Sequence, residues 1–265
     1  MDPQQLFRTM HEAPFILPNP WDLGSAKILA AMGFSALATT SSGFANSLGR
    51  VDGAVTREEA IAHAQSIGEA TSLPVNGDLE NGFGDEPEAV AETLERALAA
   101  KLAGCSIEDF DGTSIYPREA AIERIRAAVE VNQRGDSKLM LTARAENFIR
   151  GNPDLTDTIE RLQAYQEAGA DVLYAPGLMR IEDIRTLTSA LDRPVNILLL
   201  PGGPPIPELF EAGAIRVSTG SAISMAAQSA IVDAARELLG PGSQTFWTNS
   251  LANASVVSEA LSAKS

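Results

Sequence analysis

Three short phrases hold most of the residues that could do chemistry: DLENGFG from Asp78, SIED from Ser106 and TAR from Thr142. Each closes a short apolar run of the kind that forms a β-strand, and alternate residues of a strand face opposite sides. The apolar or small set Val75, Gly77 and Leu79 leaves Asn76, Asp78 and Glu80 on the other face. Likewise Cys105 and Ile107 leave Ser106 and Glu108, while Leu139, Leu141 and Ala143 leave Thr142, Arg144 and Glu146. If the three strands are neighbours, Asp78, Glu80, Glu108 and Arg144 converge. Carboxylates gathered closely repel one another, and they stay ionised at neutral pH only when a cation or strong donors compensate. Oxygen-only ligands suit Mg²⁺, or Mn²⁺, with Mg²⁺ keeping several waters. A divalent ion and Arg144 together could stabilise an enolate as a bond next to a carbonyl breaks or forms.

The elements that must position these groups follow from the pattern of the whole chain. Runs rich in β-branched and apolar residues occupy 14–18, 34–40, 74–80, 104–110, 138–146, 171–175, 194–200 and 215–220. Segments of helical periodicity such as EPEAVAETLERALAAKLAG and DLTDTIERLQAYQEAGA lie between them, and strand alternating with helix implies a parallel sheet with helical crossovers. The phrases AAMGFSAL, AAKLAGCSI, QEAGADVL and FEAGAIRV repeat one junction of helix, glycine and strand. Eight such units close into a single (β/α)8 TIM barrel, with an open doubly wound sheet as the alternative; no Gly-x-Gly-x-x-Gly follows the first strand to support dinucleotide binding. Residues 1–240 are read as the barrel and catalytic domain, and residues 241–265 as a C-terminal tail carrying one more helix. Barrel active sites sit at the C-terminal strand ends, which is where the carboxylates and Arg144 fall. A purely structural salt-bridge network around Arg144 is the competing account, and it gains little from being charged and axial.

Other residues add walls to the pocket or remove alternatives. Ser41, Ser42 and Gly43 form a hydroxyl-rich turn after the second strand, whose amides could hold a carboxylate or phosphoryl group. Asn19 to Asp22 follow the first strand, and Asn196 and Ser218 point inward from the seventh and eighth. His11 and His63 fall in helix-like segments and are expected at the surface, which disfavours a histidine base or zinc site. None of Lys27, Lys101, Lys138 and Lys264 ends a strand, which disfavours Schiff-base chemistry. Cys105 is expected to be a buried structural thiol facing the helices. The 265-residue chain carries a formal net charge of −15, from 35 acidic and 20 basic residues. That balance argues against nucleic acid or an anionic membrane as partner. The opening MDPQQLFRTM lacks the features of a secretory signal, so a cytoplasmic location is expected.

Taken in order, the Ser-Gly turn (SSGFANSLGRVDG from Ser41), DLENGFG, SIED and TAR resemble the isocitrate lyase and phosphoenolpyruvate mutase superfamily. The resemblance implies Mg²⁺ held by Asp78, Glu80 and Glu108, largely through water. It also implies a 2-oxo acid gripped by the metal, the turn at Ser42 and Gly43, and Arg144. Asp52 matches the acidic residue that follows the turn. The implied assembly is a homotetramer whose subunits swap their last helices. Two departures stand out. Glu80 replaces an aspartate, and the stretch FDGTSIYPRE lacks both the Lys-Cys-Gly loop of the isocitrate and methylisocitrate lyases and the Lys and Asn of the phosphonate enzymes. Tyr116 is the substitute proton donor this stretch offers, and Arg118 could help close the site. The sixth strand ends in Tyr174 where those lyases have glutamate. The implied activity is a Mg²⁺-dependent carbon–carbon lyase for a small 2-oxo or hydroxy dicarboxylate, acting through a metal-stabilised enolate and not on isocitrate or methylisocitrate. Alternatives are C–P cleavage or transfer as in phosphonopyruvate chemistry, oxaloacetate decarboxylation or hydrolysis, and a barrel that binds a metabolite without turnover.

Overall fold

The computed structural model describes residues 2–135 and 138–263, so Lys264 lies outside the described residues. Eight parallel strands form one sheet: β1 (Phe15–Leu17), β2 (Leu37–Ala38), β3 (Val75–Asp78), β4 (Gly104–Glu108), β5 (Met140–Arg144), β6 (Val172–Tyr174), β7 (Val195–Leu198) and β8 (Arg216–Ser218). They pair in the order β1-β8-β7-β6-β5-β4-β3-β2. The remaining seam is drawn together by the Ala38 amide, which donates to the Pro18 carbonyl at 3.0 Å. Asn19 staples the same seam: its Nδ2 donates to the Thr39 carbonyl (2.8 Å), and its Oδ1 accepts the amides of Thr219 (3.0 Å) and Gly220 (2.9 Å). The result is a (β/α)8 barrel.

A leading helix α1 (Pro3–Met10), capped by Asp2, precedes β1 and closes the N-terminal end of the barrel. The crossovers are α2 (Leu23–Ala31), α3 (Ser41–Ser47) with α4 (Arg57–Thr71), α5 (Pro87–Ala99), α6 (Arg118–Gln133), α7 (Leu155–Ala168), α8 (Ile181–Ser189) and α9 (Ile206–Glu211). After β8 come α10 (Ala222–Leu239), α11 (Trp247–Ala252) and α12 (Ala254–Ser262). The tail therefore holds two helices where one was expected, and α12 packs against α2 of its own chain.

The outer core between sheet and helices includes Leu79, Ile107, Leu141, Leu173, Ile197 and Val217, with Cys105 fully buried among them as expected. Three of the four repeated junctions turn at a glycine with left-handed backbone, Gly33, Gly169 and Gly213, which pays no Cβ penalty there. In AAKLAGCSI the left-handed residue is Lys101 (φ 57°) instead. Gly104 is needed for close approach, since a Cβ would lie 2.9 Å from both the Met140 carbonyl oxygen and the Phe7 ring.

Two expectations need correction. The Ser-Gly turn is the first turn of α3, capped by Thr40, because the chain leaves its two-residue strand directly into helix. The histidines are not surface residues. His11 is buried among Phe7 and Phe15, with edge contacts to both rings at 4.9 Å, and His63 is half-buried and stacked on Phe44 at 3.8 Å. Each ring is largely apolar and finds one backbone carbonyl, Phe7 for His11 and Trp21 for His63, which makes burial affordable.

Candidate active site

Two cavities meet at the C-terminal end of the barrel, and Ser41, Asp52 and Arg144 line both. The axial cavity, about 160 Å³, runs down the bore past Asp78, Ser106, Asn196 and Ser218. The rim cavity, about 410 Å³, is bounded by Glu80, Glu108, Asp111 and Arg150. Strand alternation thus brings together Asp78, Glu108 and Arg144, because β3, β4 and β5 are adjacent and the register sets Glu108 beside Arg144 and Ser106 beside Asp78. Glu80 arrives differently. β3 ends at Asp78, and Glu80 reaches the rim in a left-handed conformation (φ 48°) beyond the strand. The Glu108 amide donates to its carbonyl (2.9 Å), which ties that turn to β4.

Arg144 is the hub. Its Nη1 lies 3.2 Å from Glu108 and 4.0 Å from Asp78, its Nε pairs with the fully buried Glu146, and its guanidinium stands 5.3 Å from the centre of the Tyr174 ring. Arg150 adds a second cation, 2.8 Å from Glu146 and 3.7 Å from Glu108. Asp78 is oriented by the Ser41 amide (3.1 Å) and the Ser106 hydroxyl (3.5 Å). Desolvation, then the charges of Asp78 and Asp52, raises the Glu80 carboxyl to about 7. Glu108 is also pushed up, by burial first and by Glu146 and Asp78 next, with Arg144 opposing. Burial disfavours the charge on Arg144, but Glu108 and Glu146 outweigh it and hold the guanidinium protonated. Three carboxylates, Asp78, Glu108 and Glu146, thus share the guanidiniums of Arg144 and Arg150. Among the described residues no three Asp, Glu, His or Cys side chains are grouped so as to hold a metal ion directly.

The remaining expected site residues are placed unequally. Ser41 and Ser42 line the axial cavity; Gly43 does not, and its amide turns back to Thr40 Oγ1 (3.3 Å). A Cβ at Gly43 would lie 2.6 Å from Thr40 Cγ2, so glycine serves packing there. Asp52 sits exposed at the mouth. Asn196 lies deep in the bore, donating to Ser218 Oγ at 2.9 Å. Tyr116 lines neither of these cavities. Its hydroxyl donates to Asp85 (2.7 Å) and accepts from Asn81 (3.0 Å), with Arg124 4.3 Å from its ring centre. Arg118 is turned outward to Asp157 (2.6 Å) and Glu160 (2.7 Å) of α7, since it begins α6 on the outer layer.

Several contributors went unread. Tyr174 and Arg216 line the axial cavity, and alternation in VLY and RVS would have found both, because each shares a face with a residue already aimed inward or opposite one aimed outward. Arg124 is buried and grips the carbonyls of Asn81, Gly84 and Asp85, pinning the DLENGFGD segment. Asp109 accepts from the Tyr165 hydroxyl (2.6 Å), Arg161 (3.2 Å) and the Glu146 amide (2.8 Å), so the second acid of SIED anchors the end of β5. No local pattern marks either, because their partners come from distant elements.

Carboxylates and an arginine converging at the C-terminal strand ends of a parallel barrel stand where barrel enzymes carry their active sites. The chain belongs to the phosphoenolpyruvate phosphomutase family, whose model matches residues 7–239. An uncharacterized protein of Mycobacterium tuberculosis (strain ATCC 25618 / H37Rv) is 36% identical over 234 residues, covering 87% of each chain. A solved structure from Burkholderia cenocepacia J2315, provisionally assigned as a lyase/mutase, is 46% identical with a TM-score of 0.89, covering 92% of this chain and 90% of that one. The structure of 2,3-dimethylmalate lyase, a PEP mutase/isocitrate lyase superfamily member, is 28% identical with a TM-score of 0.84, covering 92% and 90%.

Proposed function

We propose that the chain is a Mg²⁺-dependent carbon–carbon lyase acting in the cytoplasm on a small 2-oxo or 2-hydroxy dicarboxylate. The observation that carries this reading is Arg144, held charged among Glu108, Glu146 and Asp78 where the two cavities meet. The donor set is all oxygen, which fits a hydrated divalent cation reached by Asp78, Glu80 and Glu108 mainly through water. When bound, that ion supplies positive charge next to a developing enolate oxygen. Mn²⁺ suits the same ligands. Arg144 orients the acid group of the substrate with its forked donors. Ser41 and Ser42 offer hydroxyls beside it, Asn196 an amide further down, and Asp52 a carboxylate at the mouth for moving a proton.

The bore of about 160 Å³ is near the ~150 Å³ cavity that takes up benzene and suits a short acid chain, while the adjoining rim cavity of about 410 Å³ leaves room above Arg144. The family's phosphomutase description keeps C–P chemistry as the second reading. Product analysis with Mg²⁺ and a panel of 2-methylmalate, 2,3-dimethylmalate, oxaloacetate and phosphonopyruvate tests both. Pyruvate or another 2-oxo acid released by C–C cleavage is the expected result. Turnover of phosphonopyruvate alone would favour the second reading, and tight binding without turnover of any of them a non-catalytic barrel. The exposed apolar side chains Ile231, Leu239, Trp247 and Leu251 on α10 and α11 fit burial in a homotetramer, which sedimentation would measure.

A further inference from the structure

A second arginine faces the same axial cavity from below. Arg216, the first residue of β8, is 2% exposed and lines the bore. Among the described residues the hydrogen-bond partners of its guanidinium are all neutral. Nε donates to Asn196 Oδ1 (2.9 Å), Nη2 donates to Thr142 Oγ1 (2.9 Å), and Nη1 meets His11 Nε2 (3.3 Å). His11 cannot serve as a counter-ion: its Nδ1 must carry the proton to donate to the Phe7 carbonyl (2.8 Å), which leaves Nε2 as an acceptor. The carboxylates of the rim are committed to Arg144 and Arg150. A desolvated cation with no anion beside it is costly, and folds rarely retain one unless something supplies the charge. Here an open cavity leads to it.

Between the two arginines the wall offers Ser106, Asn196, Ser218 and Asn76, with Asp78 as the carboxylate nearer Arg144. Asn76 is 4% exposed, and its Oδ1 has no hydrogen-bond partner. That oxygen is an acceptor, so a carboxylate cannot satisfy it; a hydroxyl or a water carried in with the ligand can. The bore thus has a guanidinium at each end, the upper one set among carboxylates and the lower one among neutral partners, with hydrogen-bonding groups between.

We propose that Arg216 seats a second carboxylate, so that a dicarboxylate stands lengthwise in the bore with its reacting acid end at Arg144 and its distal carboxylate at the floor. This deepens the lyase reading above and rests on it for the upper end. It makes Arg216 the residue that separates dicarboxylates from monocarboxylates, since a monoacid leaves the buried charge uncompensated.

Calorimetric titration in the presence of MgCl2 tests it with three stable probes: oxalate, which occupies only the upper end; lactate, a monoacid; and malate, which carries the distal carboxylate. Wild-type protein should bind malate ~10–100-fold tighter than lactate, the range expected for one charged hydrogen-bonded contact. Arg216→Gln should erase that preference and leave oxalate affinity unchanged. Equal binding of malate and lactate by wild type overturns the proposal, and so does a variant that weakens oxalate and malate by the same factor. If Arg216→Gln does not fold, Arg216 is a structural residue unless wild type prefers malate and Arg216→Lys keeps part of that preference. Failure of oxalate to bind wild type would instead sink the reading of the upper end, with the malate and lactate comparison still deciding the floor.

Discussion

The two ends of the barrel hold an arginine each under opposite electrostatic conditions. At the C-terminal rim, Arg144 is surrounded by Glu108, Glu146 and Asp78, and its charge is reinforced. At the floor, burial lowers the pKa of Arg216 to about 10, with the phenol of Tyr174 working against it. The rim is built from loops that other groups pin: Arg124 holds the segment after β3, and Asp109 holds the end of β5. The floor is built from packing, an aromatic plug of Phe7, His11 and Phe15 with Gln4 bonded to the Leu102 carbonyl at 3.0 Å. The difference teaches that charge at the rim is arranged around itself, whereas charge at the floor is arranged around something that has to arrive.

The strongest way to break this comparison is at the rim. Glu108→Ala should lower kcat/KM by ~10²–10³-fold or more, the usual loss when a preorganised electrostatic group is removed. Arg144 keeps Glu146, so thermal unfolding should remain cooperative. A variant that unfolds while wild type ignores chelators would mean that the cluster is structural. Arg144→Lys should follow with a loss of roughly 1.5–3 kcal/mol in transition-state stabilisation, since a lysine keeps the charge but not the fork that spans Glu108 and Glu146. Unchanged kinetics on the substrate found would remove Arg144 from the chemistry.

The floor is sharpened by acid. Burial foremost, then Arg216, depresses the His11 pKa from 6.5 to about 3. The folded pKa lies below the unfolded one, so the unfolded chain binds the extra proton and stability is fully present only above about 6.5. As pH falls from there toward about 3, this group's contribution is lost, with a slope approaching ~1.4 kcal/mol per pH unit. Urea unfolding at about pH 7 and about pH 5 should show a smaller loss for His11→Gln than for wild type. Parallel losses in the two proteins would show that the plug does not sense pH.

The smallest effect is expected from Tyr116→Phe. The hydroxyl is spent on Asp85 and Asn81 outside both cavities, so the variant should lose about 1 kcal/mol of stability and little activity. A collapse of kcat without loss of stability would return Tyr116 to the role of proton donor that its position in the sequence suggested.

Period-two alternation was enough to aim Asn76, Asp78, Glu108, Arg144, Asn196 and Ser218, because the facing of a side chain on a strand is a local property of the backbone. Alternation of strand with helix likewise implied the barrel, and the barrel implied which strand ends would meet. Where the backbone left the strand, that logic stopped. Glu80 came to the rim through a left-handed residue, Ser41 and Ser42 through a helix rather than a turn, and Tyr116 went elsewhere, held by Asp85 and Asn81. The burial of His11 and the isolation of Arg216 were decided only by tertiary structure. Whether a charge has a partner depends on groups brought from β5, β7 and α1 to one point on the axis, and no spacing along the chain records that distance.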